Sequence, residues 1–196
     1  MDAVAQYFDE IQKALAAISR DDVRYVVEAL TNVWKHDRTV FLIGNGGSAS
    51  TASHMMNDLC KFTAFDGVRR LRAMALTDNV PLMTAYGNDV DFDAVFVEPL
   101  INFARPGDML IAISGSGNSR NIIAACEYAL EHGINVVGLC GDPGGILAQI
   151  AQLRVIVPAE RIGQQEDGHL VLNHVIATAL RERIFGLSGL AAMATL

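Results

Sequence analysis

Two short runs rich in glycine and serine constrain the fold of this chain more than any other feature: Gly44-Asn45-Gly46-Gly47-Ser48-Ala49 and Ser114-Gly115-Ser116-Gly117-Asn118-Ser119. Each follows an apolar β-like stretch, 39–43 and 109–113, and each opens into a segment with helical patterning. At a strand-to-helix turn the glycines let the backbone approach a ligand, and the first helical N–H groups lack intrahelical partners. The helix dipole favours an anion there as well. Both turns are therefore expected to seat phosphate, with Asn45, Gly46, Gly47, Ser48, Ser114, Gly115, Ser116, Asn118 and Ser119 lining one crevice. Neither run reads GxxxxGK[ST], and neither reads GxGxxG with an acidic ribose partner, which disfavours a nucleotide. Neutral hydroxyls without a fixed cation suit a small phosphate monoester.

Between and around these turns the pattern alternates. Apolar residues at Val4, Phe8, Ile11, Leu15 and Ile18 have amphipathic-helix spacing, and 23–34 continues in that style. Strands are expected at 39–43, 71–76, 109–113, 135–140 and 153–157. Helices are expected at 48–61, 80–86, 92–103 with Pro99 as an interruption, 120–132, 145–151 and 165–185. Continuous β-rich runs alternating with helices indicate a parallel sheet covered on both faces. The expected fold is α/β, a doubly wound parallel sheet preceded by two helices, with ligands at the carboxyl ends of the strands. Residues 1–185 read as a single domain and 186–196 as a frayed tail or subunit contact.

Composition narrows the partners. The chain has 196 residues, 51% of them hydrophobic, enough to bury one sizeable core. Its net charge of −7 gives no basic footprint for nucleic acid or an anionic membrane. No apolar run is long enough to span a bilayer, and 1–18 mixes Asp2, Asp9, Glu10 and Lys13 among its apolar residues, unlike a signal peptide. Cys60, Cys126 and Cys140 are odd in number and form no CxxC pair, as expected of free thiols in the cytoplasm.

Chemistry is expected from His54, Asp58, Glu166 and His174. His54 and Asp58 are four apart on the helix after the first turn, so they share a face. Glu166 and His174 are eight apart on the last helix, on roughly one side, with His169 offset from both. His169 reads as a local hydrogen-bonding or subunit-contact residue, His36 as surface and His132 as a helix-end cation. Lys61 reads as a solvated helix-end charge. Asp78 and Asn79 follow a strand end and are expected to cap a turn or face the crevice.

GNGGSA followed by ISGSGNS resembles the sugar isomerase (SIS) domain family and, within it, the phosphoheptose isomerases. Further matches are Ala75-Leu76-Thr77-Asp78, Thr84-Ala85-Tyr86-Gly87-Asn88-Asp89, Arg105-Pro106-Gly107-Asp108, and the late helix with His169 and His174; the resemblance spans residues 8–184. It implies an aldose–ketose isomerase that interconverts sedoheptulose 7-phosphate and a heptose 7-phosphate through an enediol. Asp58 would be the carboxylate base and His174 the imidazole that moves protons between oxygens. The resemblance also implies Zn2+ held by His54, Asp58, Glu166 and His174, and a homotetramer with its sites at subunit interfaces. Two departures stand out. Asp58 is one methylene shorter than the family's glutamate, and Glu166 stands at the family's glutamine position, where it either takes up acid/base work or completes a metal site. Non-catalytic SIS adaptors, such as those that bind the bacterial replication initiator, and sugar-phosphate sensors form the competing class. Those adaptors lack the carboxylate partner of the first-helix histidine.

Overall fold

A computed structural model describes residues 2–189 of the chain. Helices α1 (Ala3–Ala17) and α2 (Arg20–Lys35) come first, started by Asp2 and Ser19 side chains that accept from backbone N–H groups. Then follow β1 (Thr39–Gly44), α3 (Gly47–Asn57), a π turn (Asp58–Phe62), β2 (Arg72–Ala75), a 3-10 turn (Leu76–Asp78) and α4 (Val80–Asp89). The rest is α5 (Val97–Phe103), β3 (Met109–Ser114), α6 (Arg120–Glu131), β4 (Asn135–Gly141), α7 (Gly145–Ile150), β5 (Leu153–Val157) and α8 (Ile162–Leu187).

All strand pairs are parallel and the sheet runs β2-β1-β3-β4-β5. The chain winds outward from β1 to β2 and then returns to place β3 on the other side of β1. The winding therefore reverses between β1 and β3, where a doubly wound sheet opens a crevice at its carboxyl edge. Both glycine-rich turns leave that edge from those two strands.

Strand residues alternate between two cores, as a sheet covered on both faces requires. Val40, Leu42, Ile111, Ile113, Val137, Leu139, Val155 and Val157 pack toward α2, α3 and α8. Phe41, Ile43, Leu110, Ala112, Val136 and Cys140 pack toward α5, α6 and α7. Cys126 and Cys140 are free and buried, and burial pushes both thiols up to about 12, so neither is a nucleophile near neutral pH.

Four expectations are corrected. The helix read over 48–61 is two pieces, because from Asp58 the backbone widens into π geometry, with Thr63 N–H donating to the Asp58 carbonyl at 3.2 Å. The segment 92–103 breaks ahead of Pro99, which lies in the first turn of α5 where a missing N–H costs nothing. The second strand is shorter than 71–76. The last helix includes Gly186 and Leu187, so no tail begins at 186; residues 190–196 of the expected tail lie outside the described residues.

Helix α1 rests on the start of α8 through polar contacts. Tyr7 donates to Asp167 at 2.7 Å, while Glu10 accepts from Gln164 at 2.9 Å and pairs with Arg161 at 3.1 Å. Its apolar stripe is largely uncovered: Val4 is 67% and Phe8 68% exposed, and Ala14 alone in α1 is buried. Beyond it a groove of about 890 Å³ runs between α2 and α8, with Leu15, Ile18, Val23, Val171 and Val175 among its walls. No helix among the described residues is long and apolar enough to cross a membrane.

Candidate functional site

Four of the expected loop residues turn out to hold the crevice together. Asn45 and Asn121 exchange amide hydrogen bonds at 2.9 Å in both directions, tying the first turn to α6. Asn118 donates to the Ser116 carbonyl at 3.0 Å and accepts from Ile146 N–H at 3.0 Å, tying the second turn to α7. Ser114 Oγ accepts from Gly117 N–H at 3.1 Å and closes that loop. Asn79 caps α4, accepting from Leu82 N–H at 3.2 Å. Asn45, Asn118 and Asn79 thus spend amide groups on the frame, while Ser114 is set apart from Ser116 by its burial rather than by its bond.

The uncommitted donors lie in the second turn. Ser116 is exposed, and its oxygen accepts from Asn118 N–H at 3.2 Å, which leaves the hydroxyl proton free. Ser119 occupies the N-cap of α6 without a capping hydrogen bond. A tetrahedral anion there would meet two hydroxyls and the open start of a helix. At the first turn Ser48 is buried, and the carboxylate of Glu166 lies against Gly47 so closely that a Cβ on Gly47 would collide with it. The first helix N-terminus therefore already faces a negative charge.

The second cluster lies further along α3. His54 Nε2 and His174 Nε2 face each other at 3.3 Å, and Asp58 Oδ2 lies 3.5 Å from the first and 3.9 Å from the second. The His54 and His174 side chains are 43% and 55% exposed, whereas the Asp58 side chain is only 14% exposed. Asp58 Oδ2 also accepts from the Asn173 amide at 2.9 Å, and Oδ1 accepts from Asn57 at 3.1 Å. Across β2, Asp78 accepts a hydrogen bond from Ser53, the neighbour of His54.

This trio fits a divalent metal. His54, Asp58 and His174 can each offer one ligand atom with all three within 4.8 Å of one another. Two ligands bound to Zn2+ at about 2.0 Å with tetrahedral angles stand roughly 3.3 Å apart. The 3.3 and 3.5 Å separations match that, and the 3.9 Å one needs only a few tenths of an ångström of closure. Two imidazoles and one carboxylate are ligand types suited to a divalent transition metal, and the group is open to solvent on the side of the two histidines.

Glu166 does not join them. Helices α3 and α8 lie side by side and run the same way, so Glu166 meets Gly47 at the start of α3 and His174 meets His54 two turns on. Eight residues of helix separate Glu166 from His174, a rise of about 12 Å, and the Glu166 carboxylate is turned to Gly47 rather than along α8 toward the trio. His169, one turn before Asn173, is fully buried and makes no contact with solvent. Burial lowers its pKa, against a smaller opposing contribution from the Cys140 backbone.

The SIS domain family model matches residues 6–141 of the chain. The phosphoheptose isomerase of Geotalea daltonii is 34% identical over 178 residues, 89% of this chain and 92% of that protein. That of Mycobacterium tuberculosis is 38% identical over 162 residues, 83% of this chain and 82% of that protein. The structure of phosphoheptose isomerase GmhA from Neisseria gonorrhoeae superposes with a TM-score of 0.85 at 31% identity, covering 91% of this chain and 97% of that one.

Proposed function

The chain belongs to the SIS domain family and is related to phosphoheptose isomerases over most of its length, and from that we propose that it interconverts sedoheptulose 7-phosphate and a heptose 7-phosphate. The observation that carries this reading is the meeting of His54 on α3, Asp58 at the start of the π turn that follows it, and His174 on α8.

The phosphate is assigned to the second turn, at Ser116 and Ser119. In the first, a like charge a few ångströms from Glu166 would be opposed by about 1 to 4 kcal/mol, depending on its exposure to water. His54 lies seven residues into α3, about 10 Å along its axis from the first turn.

Asp58 takes the proton from C1 of the open-chain ketose and returns it to C2, while the His174 imidazole carries the accompanying proton between O1 and O2 on Nδ1, the nitrogen not turned to His54 and Asp58. Asp58 has an oxygen for each demand, Oδ2 toward the histidines and Oδ1 turned away from them. Zn2+ held by His54, Asp58 and His174 would polarise the carbonyl and stabilise negative charge on its oxygen. Exchange of the substrate α-proton with solvent, followed by NMR in D2O, tests the reading. No exchange from any of several ketose phosphates, with or without added Zn2+, would overturn it.

Ser116→Ala should weaken binding of sedoheptulose 7-phosphate by about 1.5 to 3 kcal/mol, the worth of a hydrogen bond to a charged group. Titration calorimetry reads this directly, and unchanged affinity would move the phosphate away from the second turn.

The protein acts as a homotetramer. The uncovered α1 stripe and the α2/α8 groove are apolar surfaces of the kind subunits cover, and Val171 and Val175 in the groove flank His174 on α8. Assembly would then enclose the exposed side of the histidine pair. Light scattering should give four times the chain mass, and deletion of residues 1–18 should cost assembly and turnover together; a fully active monomer would refute this. The free thiols suit a reducing, cytoplasmic setting.

A further inference from the structure

We infer that Asn173 is a positioning residue, whose amide holds the Asp58 carboxylate in line with His54 and His174 so that a side chain as short as aspartate completes the group. The inference rests on the assignment of Asp58 made above. Asn173 is fully buried on α8, beside Leu172 and Ile176, which are buried in the apolar core shared with α2 and α3. Its Oδ1 has no hydrogen-bond partner. A buried amide with one end orphaned is destabilising relative to a leucine of similar volume. Packing therefore does not account for an asparagine here.

What the residue does make is one hydrogen bond, Nδ2–H to Asp58 Oδ2 at 2.9 Å. That oxygen is the one facing both histidines. The amide orientation follows from the same contact, since its carbonyl turned toward a carboxylate would be repelled. An ionised acceptor strengthens the bond. Without it the carboxylate is free to turn about its side-chain torsions toward Asn57 and water, and the third donor is lost. Partners of this kind orient metal-binding and reacting groups without touching the metal or the substrate.

Asn173→Leu and Asn173→Ala test this together. Both variants lose the bond to Asp58, but only alanine leaves a cavity as well, so the leucine variant should unfold at a clearly higher temperature than the alanine variant. Despite that difference, both should lose about 10- to 100-fold in Zn2+ affinity, measured by competition with a chromophoric chelator. Both should also lower kcat for α-proton exchange with KM for the sugar phosphate little changed. In an Asp58→Glu background, where the longer side chain reaches the histidines unaided, Asn173→Leu should change Zn2+ affinity by less than roughly threefold, so that the two substitutions are strongly non-additive, as a coupled pair is. Wild type that neither binds Zn2+ nor exchanges the proton overturns the isomerase assignment and this inference with it. Wild type that does either, beside an Asn173→Leu variant that does it equally well, overturns this inference alone. So does a Zn2+ affinity that falls across the variants only in step with the unfolding temperature.

Discussion

Asp58→Asn should lower exchange of the substrate α-proton by about 10²- to 10⁴-fold, the range that a positioned base contributes. The amide keeps the size and shape of the carboxylate, so the fold is expected to hold, but it accepts no proton and is a poorer ligand for a divalent ion. The same protein should therefore lose its bound metal, which in wild type is expected at one Zn2+ per chain and should be removable by a chelator with loss of turnover. His174→Ala should do likewise while leaving thermal stability within about 0.5 kcal/mol, because its side chain is 55% exposed. Asp58→Glu is the informative contrast. It lengthens the carboxylate by one carbon toward a pair of nitrogens already 3.3 Å apart and should preserve or raise turnover. Metal analysis with the exchange assay separates these outcomes. If all three variants keep wild-type metal content and exchange, the trio is an ordinary surface cluster and the chemistry lies elsewhere.

The parallel sheet and its two glycine-rich turns were legible because period and punctuation agree. Apolar runs at 39–43 and 109–113 give way to glycine- and serine-rich turns and reopen with 3.6-residue periodicity, and a chain so patterned has few other ways to bury its strands. His54 and Asp58 were legible as a pair because four residues is a helical repeat. The sheet order was not, since nothing local says that β2 lies outside β1. The π turn at Asp58–Phe62 was also hidden, because one widened turn leaves the apolar spacing almost unchanged. The place of Glu166 was hidden for a geometric reason. A spacing of eight keeps two side chains near one face of a helix but two turns apart, and only the parallel packing of α3 against α8 shows that one meets Gly47 and the other His54. Asn173 carried no signal at all. A single asparagine between Leu172 and His174 reads as a surface position until its burial and its bond to Asp58 are known.

Gly117→Ala should disable the phosphate turn more severely than any single hydroxyl deletion. Gly117 has φ +64°, a backbone state that costs a residue with a Cβ about 1 to 2 kcal/mol. The larger penalty is steric. A Cβ at 117 would overlap the carbonyl oxygen of Gly144, which is backbone at the start of α7 and has no rotamer to escape through. That junction is held by Gly117 O accepting from Leu147 N–H at 2.9 Å and by Asn118 Oδ1 accepting from Ile146 N–H at 3.0 Å. Relief of the overlap must break at least one of these, and Ser116 and Ser119 move with the loop. The combined loss is expected to be about 3 kcal/mol or more, seen as a fall in unfolding free energy and a loss of measurable affinity for sedoheptulose 7-phosphate. Gly46→Ala is the control. Gly46 also has positive φ, +54°, but a Cβ there meets nothing within 4 Å, so only the backbone term of about 1 to 3 kcal/mol remains. Denaturant titration and calorimetry on both variants should rank Gly117→Ala well below Gly46→Ala in substrate affinity. Equal affinities would mean that the second turn is not where the phosphate binds.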